Sequence, residues 1–402
     1  VRGILRKYAA FIRQPDVARL LVTGLVSRMP IGMVGFAMLI FLREAMGNFA
    51  DAGAAVGIEF VSAALAAPVL GRIVDRRGPR RVLYVTGTMQ PLSLAAMLIA
   101  AKTGMSFAVV VCCAIAAGAF SSPITTLTRT MWRHRFEREE DRRTAFALDS
   151  VTIEINFTLG PSIMAALLAA FGATVAFGTS IVCVVVAFLA FMASPALRYF
   201  HAGDAGARHL LGPLREPRLL LIYAATFGLT VALGLMEVGY PAYGTALAAP
   251  ALGGLLLGVN SIGSAAGGAL YGGLHFRMPV ERQFAIAMAL MVVPLLLHAT
   301  LAPLPVFSVL AFLAGALIAP SIAAQSVLVS RLAPPQYATE AFTWSSTCIV
   351  SGLGCGMALG GWLVENTGLP TLFVVAAMVA GAMALLALAI HAPHPATASA
   401  EA

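Results

Sequence analysis

Charge is scarce in this sequence. Of its 402 residues only 11% are Asp, Glu, Lys or Arg, whereas 59% are hydrophobic. A soluble domain carries about 25% charged residues, so a globule of this length could not cover its surface. The apolar content also excludes a disordered chain. With 38 Gly and 22 Pro but no repeating period, collagen is excluded too. The 5 cysteines, Cys112, Cys113, Cys183, Cys348 and Cys355, lie inside apolar stretches, which argues against a disulfide framework. His298 is the only histidine in such a stretch, so it reads as a packing or interface residue. No metal site, His-based catalytic cluster, cofactor or enzymatic constellation is expected. There is no G-x-x-x-x-G-K-S/T phosphate loop. No basic run interleaved with aromatics offers a nucleic-acid surface, so the net charge of +8 reads as membrane topology. The stretch Val1 to Arg19 is basic without an apolar core and cleavage site, unlike a signal peptide. The tail from His391 to Ala402 is Pro/Ala-rich and expected to be disordered.

What remains is a polytopic, all-α membrane protein, in which each span takes about 20 apolar residues. Short polar breaks divide the chain into twelve expected spans: 17–42, 51–74, 80–101, 105–131, 144–170, 173–194, 218–243, 250–273, 281–302, 305–330, 339–364 and 369–390. The longest link, 195–217, opens with Pro195 and separates two groups of six. The expected organisation is a six-helix bundle over 1–194, a cytoplasmic loop over 195–217, a second bundle over 218–390 and a cytoplasmic tail over 391–402. Of the 26 Lys and Arg, only Arg43 and Lys102 fall on one side and Arg28 inside a span; the others fall opposite. Because positive charge stays on the cytoplasmic side, both termini are expected inside a cell (inner) membrane.

The two groups repeat. Gly118-Ala119 with Pro123 in span 4 matches Gly315-Ala316 with Pro320 in span 10, and Thr144-Ala145-Phe146 matches Glu340-Ala341-Phe342. Gly71 and Arg80 are matched to Gly268 and Arg277 at a similar offset. Related bundles around a midplane site are a transporter architecture.

Between spans 2 and 3 runs Gly71-Arg72-Ile73-Val74-Asp75-Arg76-Arg77-Gly78-Pro79-Arg80-Arg81. This resembles the cytoplasmic signature loop of the major facilitator superfamily, G-x-x-x-D-R-x-G-R-R, with Pro79 where an arginine is usual. Gly71 would allow helix 2 to approach a neighbour, and Gly78 would turn the chain at positive φ. The resemblance implies a gating loop formed by Gly71, Asp75, Arg76, Gly78 and Arg80. In it, Asp75 would latch helix 2 to the start of helix 11 and to a cation after helix 4, Arg129 or Arg133, in the outward-open state. Glu340 at the start of helix 11 would repel Asp75. Gly160-Pro161 in span 5 resembles part of the antiporter motif of the drug:proton branch, although Met164 and Ala165 stand where that motif has glycines.

Charges within hydrocarbon cost about 2.5–3.5 kcal/mol each, so those present are informative. Proton-coupling and substrate candidates are Arg28, Glu59, Asp149, Glu154, Asn156, Glu237 and Gln325. Depth along the helices pairs Arg28 with Glu154, both about 15 Å from their span starts. Tyr223, Thr226, Thr230 and Glu237 share one face of span 7. The resemblance implies that helices 1, 4, 7 and 10 line the cavity, adding Ser122, Thr125, Ser321 and Gln325. Trp132 and Trp362 read as interface anchors. The expected function is alternating-access transport of a small molecule in the lipid bilayer, driven by protons. Export of an amphiphilic compound is the first reading, and uptake of a small organic anion on Arg28 the alternative.

Overall fold

Twelve helical segments among the described residues are long and apolar enough to cross a bilayer. The computed structural model describes residues 11–199, 213–274, 277–334 and 338–390. Spans 1 to 6 are Val17–Met46, Phe49–Val74, Pro79–Lys102, Phe107–Trp132, Thr144–Phe171 and Ala173–Ala193. Spans 7 to 12 are Pro217–Ala246, Ala251–Gly273, Val280–His298, Leu304–Leu332, Glu340–Asn366 and Leu369–Leu388. The chain turns sharply between spans 2 and 3. Gly78 takes φ +79°, its N–H bonds to the Val74 carbonyl, and Pro79 starts the next helix.

Spans 4 and 10 are broken. Helix Phe107–Ala119 stops, and a second helix, Ile124–Arg135, completes span 4; likewise Leu304–Gly315 is followed by Ile318–Leu332. A helix at this point needs the N–H of Pro123 on the Ala119 carbonyl and that of Pro320 on the Ala316 carbonyl, and proline has none. The repeated Gly-Ala and Pro pattern is therefore a repeated helix break.

Packing follows the duplication. Span 1 packs on spans 5 and 6, span 2 on span 4, and span 3 on spans 4 and 6; spans 7, 8 and 9 pack on 11 and 12, 10, and 10 and 12 in the same way. Glycines mark equivalent close approaches. Gly32 meets Asn156 and Gly160, while Gly234 meets Leu353 and Gly356. Gly118 lies on the Glu59 carbonyl, and Gly315 lies on that of Asn260. Gly118 to Gly315 and Asn156 to Leu353 are offsets of 197, but Glu59 to Asn260 is 201 and Gly32 to Gly234 is 202. The expected match of Gly71 with Gly268 is thus one helical turn out. Gly272 is the counterpart, as both it and Gly71 face open space whereas Gly268 meets Ala319. The discrepancy arises because span 9 has 19 residues against 24 in span 3.

The halves meet through span 2 on span 11 and span 5 on span 8. Gly53 and Gly57 fit against Gly354, Met357, Ala358 and Gly361. Gly254 and Gly258 fit against Pro161, Ala165 and Ser162. Two hydrogen bonds reinforce these seams: Phe49 N–H to Glu365 Oε1, 2.6 Å, and the Ser261 hydroxyl to the Phe157 carbonyl, 3.0 Å. Among the described residues, these glycine contacts and the Phe49–Glu365 bond lie toward the end remote from the 71–81 loop, and the Ser261–Phe157 bond lies near the middle of its helices. Gly71, expected to approach a neighbour, has none within 4 Å, and no glycine contact between the halves is found at its end among the described residues.

Candidate functional site

Span 1 carries a cation into the protein interior. Arg28 is fully buried, and its Nη2 lies 2.6 Å from Asp149 Oδ1 in span 5. Arg28 Nη1 donates to Thr152 Oγ1 at 3.1 Å, and Trp132 Nε1 donates to the same Asp149 oxygen at 3.1 Å. One turn further, Asn156 Nδ2 donates to the Leu25 carbonyl at 3.1 Å. Residues 149, 152, 156 and 160 recur at helical spacing, so one face of span 5 carries the ladder up to the Gly32–Gly160 contact. The ladder is incomplete at one point: Arg28 Nε is buried without a hydrogen-bond partner among the described residues.

The expected partner of Arg28 was Glu154. The helix containing span 5 starts at Glu139 rather than near 144, so Asp149 lies about 15 Å from its start and level with Arg28. The side chain of Glu154 lies outside the described residues. Trp132 is not an interface anchor. It is fully buried, serves Asp149, and stacks on Phe136 with centroids 6.1 Å apart. Trp362 is half exposed.

Glu59 in span 2 is 7% exposed and forms no hydrogen bond or ion pair with a described residue. Its repeat counterpart Asn260 donates to the Ala311 carbonyl at 2.9 Å and lies 3.5 Å from the Tyr240 hydroxyl. Glu237 is half-buried in span 7. The other polar groups on its face point into packing rather than a cavity. The Tyr223 hydroxyl donates to the Ala341 carbonyl at 3.0 Å, and Thr230 donates to the Thr226 and Cys348 carbonyls. Gln325 is likewise buried, donating to Ser345 at 2.6 Å, and Ser321 bonds to the Leu317 carbonyl of its own helix. Ser122, beside the break in span 4, donates to Thr86 at 2.9 Å. His298 is buried between Phe307 and Phe373, with Nδ1 2.6 Å from the Pro294 carbonyl.

In the loop after span 2, Arg76 and Arg80 are exposed, while the side chains of Asp75 and Arg133 lie outside the described residues. Glu340 is buried at the start of span 11. No group of three or more His, Cys, Asp or Glu among the described residues could hold a metal ion. Thr152 and Asn260 are not singled out by the sequence, and Trp132 is read there only as an interface anchor. Thr152 stands three residues from Asp149, and Asn260 emerges once spans 2 and 8 are aligned at 201.

A family model described as Major Facilitator Superfamily matches residues 20–302 and 238–402. Multidrug resistance protein MdtG of Salmonella arizonae is 31% identical over 98 residues, which is 23% of this chain and 24% of that protein. The chain therefore matches about a quarter of the length of this curated relative. A crystal structure of the nucleoside transporter NupG superposes with TM-score 0.76 at 14% identity, covering 93% of this chain and 99% of the other. A structure of the peptide transporter POT in complex with sulfate gives TM-score 0.66 at 13% identity, covering 92% and 93%.

Proposed function

From the premise that this chain belongs to the Major Facilitator Superfamily, we propose that it exports a small amphiphilic compound in exchange for protons. It is a transporter rather than an enzyme, and a multi-pass integral membrane protein. With the 71–81 loop and both termini on the cytoplasmic side of an inner membrane, the seams join the outer ends of spans 2, 5, 8 and 11. The conformation is then closed to the outside and open toward the cytoplasm, the form that receives an exported compound. Rocking of the six-span bundles over 1–194 and 218–390 about the 195–217 link would open the other side.

The observation that carries the choice of export is the fate of Arg28. An uptake system for an organic anion needs a free cation, but the guanidinium is on Asp149 at 2.6 Å and Thr152 at 3.1 Å. A neutralised pair leaves the path suited to an amphiphile rather than an anion. The local likeness to a multidrug resistance protein points the same way.

The test uses purified protein in liposomes with an imposed pH gradient. Fluorescent lipophilic amines should move against their own gradient while protons move oppositely, and a protonophore should abolish the movement. Substrate movement driven by sodium alone, or co-movement of substrate and protons, would overturn the reading.

A further inference from the structure

The duplication places two residues in one structural position and gives them opposite chemistry. Gly118, at the end of the first helix of span 4, lies on the Glu59 carbonyl; Gly315, at the same place in span 10, lies on the Asn260 carbonyl. Asn260 is neutral and satisfied, its amide donating to the Ala311 carbonyl at 2.9 Å. Glu59 is 7% exposed and has no partner among the described residues. At the offset of 197 that relates spans 4 and 10, the counterpart of the Ala311 carbonyl is that of Ala114. An ionised carboxylate is acceptor-only and cannot donate to a carbonyl, whereas a carboxylic acid has one O–H donor. Protonation therefore gives Glu59 the donor that its counterpart has permanently.

Span 2 packs against spans 1, 3, 4 and 11. Their ionisable groups include Arg28, committed to Asp149, and Tyr84 of span 3. Span 4 adds Cys112 and Cys113, and span 11 adds Cys348, Cys355, Glu340 and Glu365; basic residues occupy helix ends. None pairs with Glu59 among the described residues. A buried carboxylate without a cation is poorly tolerated in hydrocarbon.

We propose that Glu59 is a proton-binding site in the first bundle, placed beside the break in span 4. The step is a proton transfer: one O–H bond forms on the carboxylate as one O–H bond of a hydronium ion breaks, leaving water, and release to water is the reverse. Its use in coupling rests on the transport reading above, but the binding itself is measured without any transported compound.

The experiment is infrared difference spectroscopy of the full chain in phosphatidylethanolamine–phosphatidylglycerol vesicles during pH steps, in choline chloride and in sodium chloride. The carboxylic-acid C=O band that grows on acidification should be lost in Glu59→Gln, moved in Glu59→Asp and kept in Glu44→Gln, a change at an exposed carboxylate at the end of span 1. A band unchanged in Glu59→Gln would overturn the assignment. So would a band removed by sodium at constant pH, which would make the site one for sodium. Should Glu59→Gln not fold, Glu59→Asp decides alone: an unmoved band refutes the site. Failure of proton-driven export with the Glu59 band present would instead sink the transport reading and leave the site standing.

Discussion

The seam between spans 2 and 11 can be tested with one methyl group. A Cβ on Gly57 would stand 2.8 Å from the Ala358 Cβ and 3.1 Å from its nitrogen, and closer still to the Gly354 carbonyl. Two of these three atoms are backbone, so no rotamer change relieves the contact. Overpacking of this kind costs about 1–3 kcal/mol. The clash exists only while the halves are joined at this end, so the whole cost falls on this conformation. A bias of about 1–3 kcal/mol corresponds to roughly 5- to 150-fold in the ratio of the two forms. Spin labels on cysteines at the exposed positions Ala45 and Asn366, one on each half, report the separation by pulsed electron resonance. Gly57→Ala should enlarge the long-distance population by that factor. Gly178→Ala, whose Cβ would meet nothing within 4 Å, should leave it unchanged. An unaltered distance distribution in Gly57→Ala would refute the reading of this glycine seam as the closed gate.

Removing one partner of the buried pair should be costly. Asp149→Asn or Arg28→Ala should each destabilise by about 3–5 kcal/mol, and the double variant by less than their sum, as read from denaturation in detergent. For orientation, an impermeant thiol reagent on intact cells should label a cysteine at Ala45 but not at Met278, in a chain without native cysteines. The reverse order would refute the placement of the termini. Asp75→Asn should fold, transport more slowly and enlarge the cytoplasm-open population, because a charge-assisted contact of the other state is weakened. Unchanged transport and accessibility would reduce the loop to a topology signal.

The spans were readable because hydrocarbon imposes a length and a composition together. The turn at Gly78-Pro79 was readable because both residues constrain the backbone. The partner of Arg28 is not legible in the same way, since apolar residues begin near 144 whereas the helix begins at Glu139 and runs through Glu140-Asp141-Arg142-Arg143. Helical spacing identifies a polar face without saying what it touches. Tyr223, Thr226 and Thr230 do share a face, but the Tyr223 and Thr230 hydroxyls reach span 11. Trp132 misled because aromatic residues at span ends belong to membrane interfaces in general, while here a carboxylate inside the bundle accepts its N–H.

The corrected register changes what the repeat says. Aligned at 202 for span 1, 201 for span 2 and 197 for span 5, Arg28 corresponds to Thr230, Glu59 to Asn260, Asp149 to Ser346 and Glu154 to Ser351. Each of these four charged positions is a neutral hydrogen-bonding residue in the second half. Glu237 runs the other way, opposite Gly35, where an added Cβ would make ordinary contact with the Phe60 ring. Each buried charge carries a desolvation cost that a neutral hydroxyl or amide avoids. The two halves share the same scaffold, helix breaks and glycine contacts, so the scaffold itself does not require those charges. Retention of three buried charges, Arg28, Glu59 and Asp149, in one half therefore points to chemistry there, and the neutral counterparts show what each position looks like when it has only to pack.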